Sequence, residues 1–550
     1  MLSTLTARCL APVAMAVLVM LPRLASPQFG LLDDGLTLQT GRELIGRWSN
    51  ALHLIPETGR FFPAYWIVYS AIFGVVGVRP LGFFIVNLLL LIALLAILMR
   101  LVRLCGGTTR QAVAAAVLFA AGGPTIESFY TLSKAEPLQL GWIGLSLLAT
   151  AAAAADSRRD RRVVLAALAT VAMLLACATK ETAVVLVPIS LAWLAIESWA
   201  DRERGAWKRF AAIYAAVNLV AVVAFALLRW HYAALALAEG SYTRAYELAP
   251  PAMGAALFRI CAWLVRDFAF LLPLGAAAVV AVGAGRQAWR PIAYAAVWMA
   301  GWLAVYLPWP ATFEYYLLPF SFGAAGLGGI AVGNVWAARS SDRALTRRRS
   351  AWSALAVSAA LWLVALANVS VDARVQLAVD RANADLVGFL GGLPRGSRIV
   401  LNTAPNEYLH ELAMHMTEIE RRPDIVVAHV AATPSPVAAD VFVITPELAN
   451  KPGPTVRVAL DEPGVRRDNA RLSTLLETPA EPVYRGAQRA RLVELGLHRL
   501  LCHVTRSPMN GATYCPSDRR VITRRIFIYG WQVHRLPRPM AEHGERRHGG

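Results

Sequence analysis

Residues 80–104 read PLGFFIVNLLLLIALLAILMRLVRL, and from Leu81 to Met99 no side chain is ionisable. A run of that length matches the roughly 20 apolar residues needed to cross the hydrocarbon of a bilayer. Ten further segments obey the same rule, at about 9–28, 111–125, 138–155, 163–179, 182–196, 210–228, 268–283, 291–307, 315–336 and 351–369. About eleven crossings make the 550-residue chain a polytopic α-helical membrane protein. Composition agrees: 57% of residues are hydrophobic, 16% are charged and the mean hydropathy is +0.48. Neither a water-soluble enzyme nor a disordered chain is built this way.

The chain carries 54 Lys and Arg against 36 Asp and Glu, a surplus of +18. In a soluble protein that surplus would invite nucleic acid, but its placement excludes this reading. Residues 370–550 hold 24 basic and 19 acidic side chains, so +13 of the +18 lies earlier, mostly in short loops between apolar segments. Lys and Arg in such loops orient a membrane protein. With residue 1 in the cytoplasm, the inner loops collect Arg8, Arg100, Arg103, Arg110, the Arg158–Arg162 cluster, Arg202, Arg204, Lys208, Arg209, Arg286, Arg290 and the Arg339–Arg349 cluster. An odd number of crossings then sets the C-terminal third outside, in the periplasm of a bacterial cell whose inner membrane holds the rest.

Residues 63–78 are apolar but short, and a crossing there would put Arg100, Arg103 and Arg110 outside. They read instead as an interfacial or re-entrant helix on the outer face, with Trp66 and Tyr69 at headgroup level. The first apolar segment has only Arg8 in its n-region and a weak cleavage flank, LASPQ, so it is expected to stay as an uncleaved anchor.

Beyond about residue 385 the pattern changes to short β-like runs, RIVLN, DIVVAHV, DVFVITPE and RRVITRRIFIYG, with an amphipathic helix at 407–420. That alternation predicts a small α/β domain. The histidines of HELAMH are five residues apart and lie about 140° apart around a helix, too far to clasp one metal. Cys502 and Cys515 flank the turn-rich SPMNGAT, and an oxidising compartment permits a disulfide between them. The basic tail from about residue 540 reads as disordered.

Four clusters of ionisable or aromatic residues fall on the predicted outer face. Asp33 and Asp34 follow the first span in FGLLDDGLTLQTGRELIG; one carboxylate serves as a helix cap, which leaves the other for chemistry. GGPTIESFYTLSKAEP supplies Glu127, Lys134 and Glu136. Lys180 and Glu181 in CATKETAVVLVP sit between two apolar segments and must face a cavity or a partner. Glu314, Tyr315 and Tyr316 open the tenth span in FEYYLLP. Carboxylates, cations and aromatics on one face suit a lipid-phosphate substrate. A phosphate leaving group needs a cation to hold it, and an acceptor hydroxyl needs a carboxylate base.

The series LLDDG, ETGRFFPAYWIVYS, GGPTIESFYTLSKAEP, TKETAVVLVP and FEYYLLP, in that order over about residues 10–340, resembles the membrane domain of GT-C glycosyltransferases. These are the polyprenyl-phosphate-sugar-dependent class, with protein O-mannosyltransferase-like members nearest in pattern. The resemblance implies a GT-C transmembrane domain over 1–370, with interfacial helices in a first outer loop at 29–80, and an extracytoplasmic α/β domain over 371–550. It implies an inverting glycosyltransferase in which Asp33 is the base, with Asp34 as the alternative. Arg60, Lys180 and Glu181 would contact the phosphate side, with Lys134, Glu136, Glu314, Tyr315 and Tyr316 as further substrate contacts. The expected partners are a polyprenyl-phosphate-linked sugar donor, an extracytoplasmic acceptor and the bilayer, with no cofactor; a divalent metal on Asp33, Asp34 and Glu136 is the disfavoured alternative. Two competing classes are a transporter or flippase without covalent chemistry and an inactive GT-C-like scaffold. The first would need ionisable groups near the midplane and repeated halves, and the sequence has neither.

Overall fold

The computed structural model describes residues 2–31, 34–53, 60–199, 205–239, 248–282, 289–309, 314–338, 345–401, 407–429, 440–447, 482–487, 507–509, 512–514 and 530–535. Asp33, Cys502, Cys515, the tail from 540 and nearly all of RRVITRRIFIYG lie outside the described residues. Among the described cysteines, Cys105, Cys177 and Cys261 are free.

The helices run in order α1 (Leu2–Ala25), α2 (Asp34–Glu43), α3 (Pro63–Val76), α4 (Pro80–Leu104), α5 (Thr109–Ala120), α6 (Gly123–Tyr130), α7 (Glu136–Ala155) and α8 (Arg159–Thr179). There follow α9 (Leu186–Trp199), α10 (Gly205–Glu239), α11 (Pro250–Phe268), α12 (Leu271–Val282), α13 (Trp289–Ala304), α14 (Leu318–Ala338), α15 (Leu345–Gly391) and α16 (Glu407–Glu418). Short 3-10 turns at Glu181–Val185 and Glu314–Leu317 lead into α9 and α14. Several starts are set by local chemistry. Proline occupies the first turn of α3, α4, α6, α7 and α11, where its missing N–H costs nothing. Thr108 and Gln111 form a capping box on α5.

The apolar segments fall mainly in helices, except that 111–125 is divided between α5 and α6. Among the described residues, seven helices are long and apolar enough to cross a membrane alone. The pair α5 and α6, bent by 57° at Ala121–Gly122, is long and apolar enough only when taken together, as a broken span or a re-entrant loop. The bend follows from GGP: Pro124 belongs at a helix start, so the chain restarts after Gly122 and does not continue. Helix α3 is a short apolar helix, as the sequence predicts. Its Trp66 and Tyr69 are buried against Phe29, Leu38, Phe62 and Phe83, so these aromatics pack on protein and not on headgroups. Tyr69 donates its hydroxyl to the carbonyl of Leu132, which ties α3 to the loop before α7.

The membrane core is built from Leu91, Leu94, Leu95 and Leu98 of α4, Ala112, Ala115, Ala116 and Phe119 of α5, and Phe322 and Ala324 of α14. Helices α5 and α14 approach so closely that a Cβ on Gly329 would lie 2.4 Å from the carbonyl oxygen of Gln111. Small residues of this kind let helices pack within lipid, where van der Waals contact replaces the hydrophobic drive.

After α15 the chain forms β1 (Arg398–Leu401), β2 (Val426–His429), β3 (Val441–Glu447), β4 (Pro482–Ala487), β5 (Ser507–Met509), β6 (Ala512–Tyr514) and β7 (Gly530–Arg535). Five of these make one mixed sheet in the order β2-β1-β3-β7-β4: β1 runs parallel to β2 and β3, and β7 antiparallel to β3 and β4. Ile399, Phe442, Ile444, Trp531 and Val533 pack on Leu386, Val387 and Leu390 of α15 and on Leu412 and Met416 of α16. Helix α15 runs unbroken through residues 370 and 371.

Candidate active site

Asp34 opens α2 and is buried, and its carboxylate accepts the N–H of Gly30 at 2.7 Å. Burial pushes this carboxyl up to about 7. The Gly30 N–H and the charges of Arg23 and Lys134 pull it partly back, and Asp380 pushes it further up. A Cβ on Gly30 would sit 3.4 Å from Asp34 and 3.5 Å from Asp380, so the two carboxylates flank this glycine. Asp380 is held by Arg23 at 2.8 Å, both buried, and the Arg23 guanidinium also lies 4.1 Å from the Phe84 ring centroid. A third carboxylate completes the start of α2. Glu411 of α16 accepts the N–H of Gly35 at 2.7 Å and that of Leu36 at 3.2 Å.

A second group centres on Lys180. The chain leaves α8 in an extended conformation at this residue, and Gln139 donates to its carbonyl at 2.7 Å. The ammonium pairs with Glu136, in the first turn of α7, and lies 4.4 Å from the ring centroid of Tyr316. Tyr306, a residue the sequence did not single out, stacks on Tyr316 at 4.6 Å. Lys134 rests on Tyr315, 4.3 Å from its centroid. Glu181 accepts the N–H of Phe61, which sets Arg60 next to this group; the Arg60 guanidinium lies 4.8 Å from the Phe62 centroid. The Lys180 ammonium thus has both a carboxylate partner and an aromatic face, while Lys134 and Arg60 each lie over an aromatic ring.

The third group is organised by Arg266, at the end of α11. It binds Asp267 at 2.8 Å, Glu314 at 2.9 Å and Asp372 of α15 at 2.8 Å. Glu314 fits because residue 123 is glycine: a Cβ there would fall 1.8 Å from its carboxylate oxygen. Glu127 of α6 accepts the N–H of Tyr315 at 3.0 Å, which fixes the backbone that presents both tyrosines.

Every described candidate therefore belongs to one of three neighbouring groups. Glu136 and Lys180 meet directly, and Glu314 faces Arg266. Sequence reasoning missed Arg23, Arg266, Asp372, Asp380 and Glu411. Arg23, a cation inside an apolar helix, was the one with a readable signal. Among the described residues, no group of three or more His, Cys, Asp or Glu could hold a metal ion. An apolar cavity of about 300 Å³ is lined by Leu104, Ala155, Trp207 and Tyr294 among others, with no charged side chain. It reaches Ala155, some 30 Å along α7 from Glu136, and has nothing to bind a phosphate.

No family model matches the sequence, and no curated protein matches it. Solved structures do. ArnT from Cupriavidus metallidurans bound to undecaprenyl phosphate superposes with a TM-score of 0.51 at 15% identity, over 82% of this chain and 93% of that one. The apo form of the same protein gives 0.51 at 15% identity, over 83% and 95%. The apo oligosaccharyltransferase of Archaeoglobus fulgidus gives 0.46 at 12% identity, over 80% and 69%. The likeness to ArnT is one of fold: this mostly helical chain shares the fold of that protein over most of both lengths.

Proposed function

We propose that the protein transfers a sugar from a polyprenyl-phosphate donor to an acceptor on the extracytoplasmic face of a bacterial inner membrane. About eleven crossings then put Asp34, Lys134, Lys180 and residues 371–550, as an α/β domain, on that face. The acceptor is a protein, glycan or lipid hydroxyl. Its oxygen attacks C1 of the sugar from the face opposite the phosphate, and the new C–O bond forms as the C1–O bond to phosphate breaks. The bonding pair leaves on the phosphate, the hydroxyl proton passes to the carboxylate of the Asp33–Asp34 pair, and the anomeric configuration inverts. Lys134, Lys180 and Arg60 hold the charge that grows on the phosphate, while Tyr315 and Tyr316 face the donor. No metal takes part.

The observation that carries this reading is a buried carboxylate, Asp34, within electrostatic reach of Lys134, which rests on the same tyrosine pair as Lys180. A base and two phosphate-binding cations thus share one end of a helical bundle. The undecaprenyl phosphate bound by ArnT, a protein of the same fold, supports the donor class.

The test is transfer from radiolabelled polyprenyl-phosphate sugars to membrane extract by purified protein, with D33N and D34N variants. Loss of transfer by at least about 100-fold in one of the two, with insertion and folding intact, is expected. Full activity in both variants defeats the assignment of the base. Activity is expected to survive chelation of divalent cations; its loss on chelation, with recovery on adding back one metal, would remove the metal-free mechanism.

A further inference from the structure

Helix α2 carries Asp34 in its first turn, so the position of that carboxylate depends on what holds the start of the helix. A helix leaves its first four N–H groups without partners inside itself, and a side chain close in sequence ordinarily satisfies one of them. Here the partner comes from 376 residues away. Glu411 of α16 takes the N–H of Gly35 and the N–H of Leu36 with its two carboxylate oxygens, and it is buried in doing so. A carboxylate is the strongest acceptor for that place, since it also meets the positive end of the helix dipole.

The fit around it is close. A Cβ on Gly35 would fall 2.7 Å from the Glu411 oxygen, 3.1 Å from His415 and 3.1 Å from Met414, so glycine at 35 is what lets α16 approach. Burial holds the His415 imidazole down at about 4, partly offset by a backbone hydrogen bond at Gly30. One turn further along, Glu418 pairs with Arg42 at 2.8 Å, at a place where Arg42 is largely exposed. Residues 411, 415 and 418 of α16 form one stripe that lies along α2.

We propose that Glu411 is a positioning residue through which the C-terminal part of the chain sets the Asp34 carboxylate. The proposal rests on Asp34 belonging to the reacting pair. Glu411 itself touches neither donor nor acceptor. Its role is to keep the first turn of α2 formed, and thereby to keep the carboxylate at a fixed distance from the cations around Tyr315.

Hydrogen exchange and kinetics on the full-length protein in lipid nanodiscs test this together. In E411A, peptides covering 34–43 should exchange about tenfold faster or more, the scale of losing charge-assisted bonds to two helix-start amides, while peptides covering 441–447 stay protected and report an intact sheet. Turnover should fall about tenfold with the donor KM unchanged within about twofold. E411Q keeps one acceptor oxygen and should fall between E411A and wild type in both readouts. E418A removes the contact of buried Glu418 with the largely exposed Arg42 between the same helices and should leave both unchanged. Unaltered exchange over 34–43 in E411A overturns the proposal. So does faster exchange with undiminished turnover, and so does E418A reproducing the E411A effect, since docking in general would then be responsible. Should the wild-type protein transfer no sugar from any polyprenyl-phosphate donor, the proposed function falls, and the exchange arm alone then decides whether Glu411 holds the helix.

Discussion

A carboxylate base works best when its proton affinity lies near the working pH, and burial brings Asp34 to about 7. The sign follows directly: below that value the carboxyl keeps its proton and cannot accept another. If Asp34 is the base, kcat/KM should rise about tenfold per pH unit up to roughly 7 and level off above it. A limb near 4 would instead move the role to a solvated carboxylate. The cations obey a second rule. Removing one partner of a buried ion pair strands the other, at about 3–5 kcal/mol. R266M leaves Asp267, Glu314 and Asp372 without their shared cation, and it should lower the thermal midpoint in detergent well below that of wild type. An R266M protein that melts with wild type would mean that those three carboxylates are held by something else. The acidic and basic candidates were legible because any ionisable group beside hydrocarbon is expensive and therefore conspicuous. Their partners were not: Lys180 finds Glu136 across 44 residues, Arg266 finds Glu314 across 48 and Gly35 finds Glu411 across 376. Nothing local encodes such pairs.

At the scale of elements, the bilayer makes crossings easy to read, because uninterrupted hydrocarbon is its single demand. Leu81 to Met99 shows this, and its helix extends only a turn or so beyond the apolar run. Residues 111–125 show where the rule stops. Hydropathy merges them into one crossing, yet the chain breaks at Gly122, and α6 leaves at 57° to carry Glu127 into the site. The same composition serves both outcomes, and only the restart at Pro124 distinguishes them. The close approach of α5 and α14 was equally hidden, since glycines are frequent throughout the segment 323–333. Gly329 has the backbone of Gln111 and Ala115 within 2.6 Å of where a Cβ would be, and backbone cannot swing aside as a side chain can. G329L should therefore separate the helices or destabilise them by about 3 kcal/mol or more, read as a lower thermal midpoint and poor yield of inserted protein. Gly275 in α12 has open space around it, and G275A should be tolerated. Equal stability of G329L and G275A would contradict the packing of α5 on α14.

At the scale of the molecule, one helix joins what the sequence divides. Composition changes near residue 370 from apolar to mixed, which reads as a boundary, but helical phase continues through it. With 47 residues, α15 is about 70 Å long. Asp372, Asp380, Asn383, Val387 and Leu390 follow at intervals of three, four or eight and so share a face. Along that face the helix meets Arg266, then Arg23 beside the Asp34 carboxylate, then the indole of Trp531 at 2.9 Å from Asn383, then the core under the sheet. The membrane part and the sheet are thus indexed to each other by the rotation of a single rod, and phase within it should matter more than length beyond it. Inserting one alanine between Leu377 and Ala378 turns every later residue by about 100° and advances it by about 1.5 Å. Asp372 keeps Arg266, while Asp380 loses Arg23 and Asn383 loses Trp531 together. That insertion should abolish transfer and release α2 from Glu411, visible as faster exchange over 34–43. The same alanine placed after Gly392, in the turn before β1, leaves the rod in phase and should retain most activity. If the two insertions behave alike, α15 is a tether and not a ruler, and the alignment of base and cations must be set within residues 1–370.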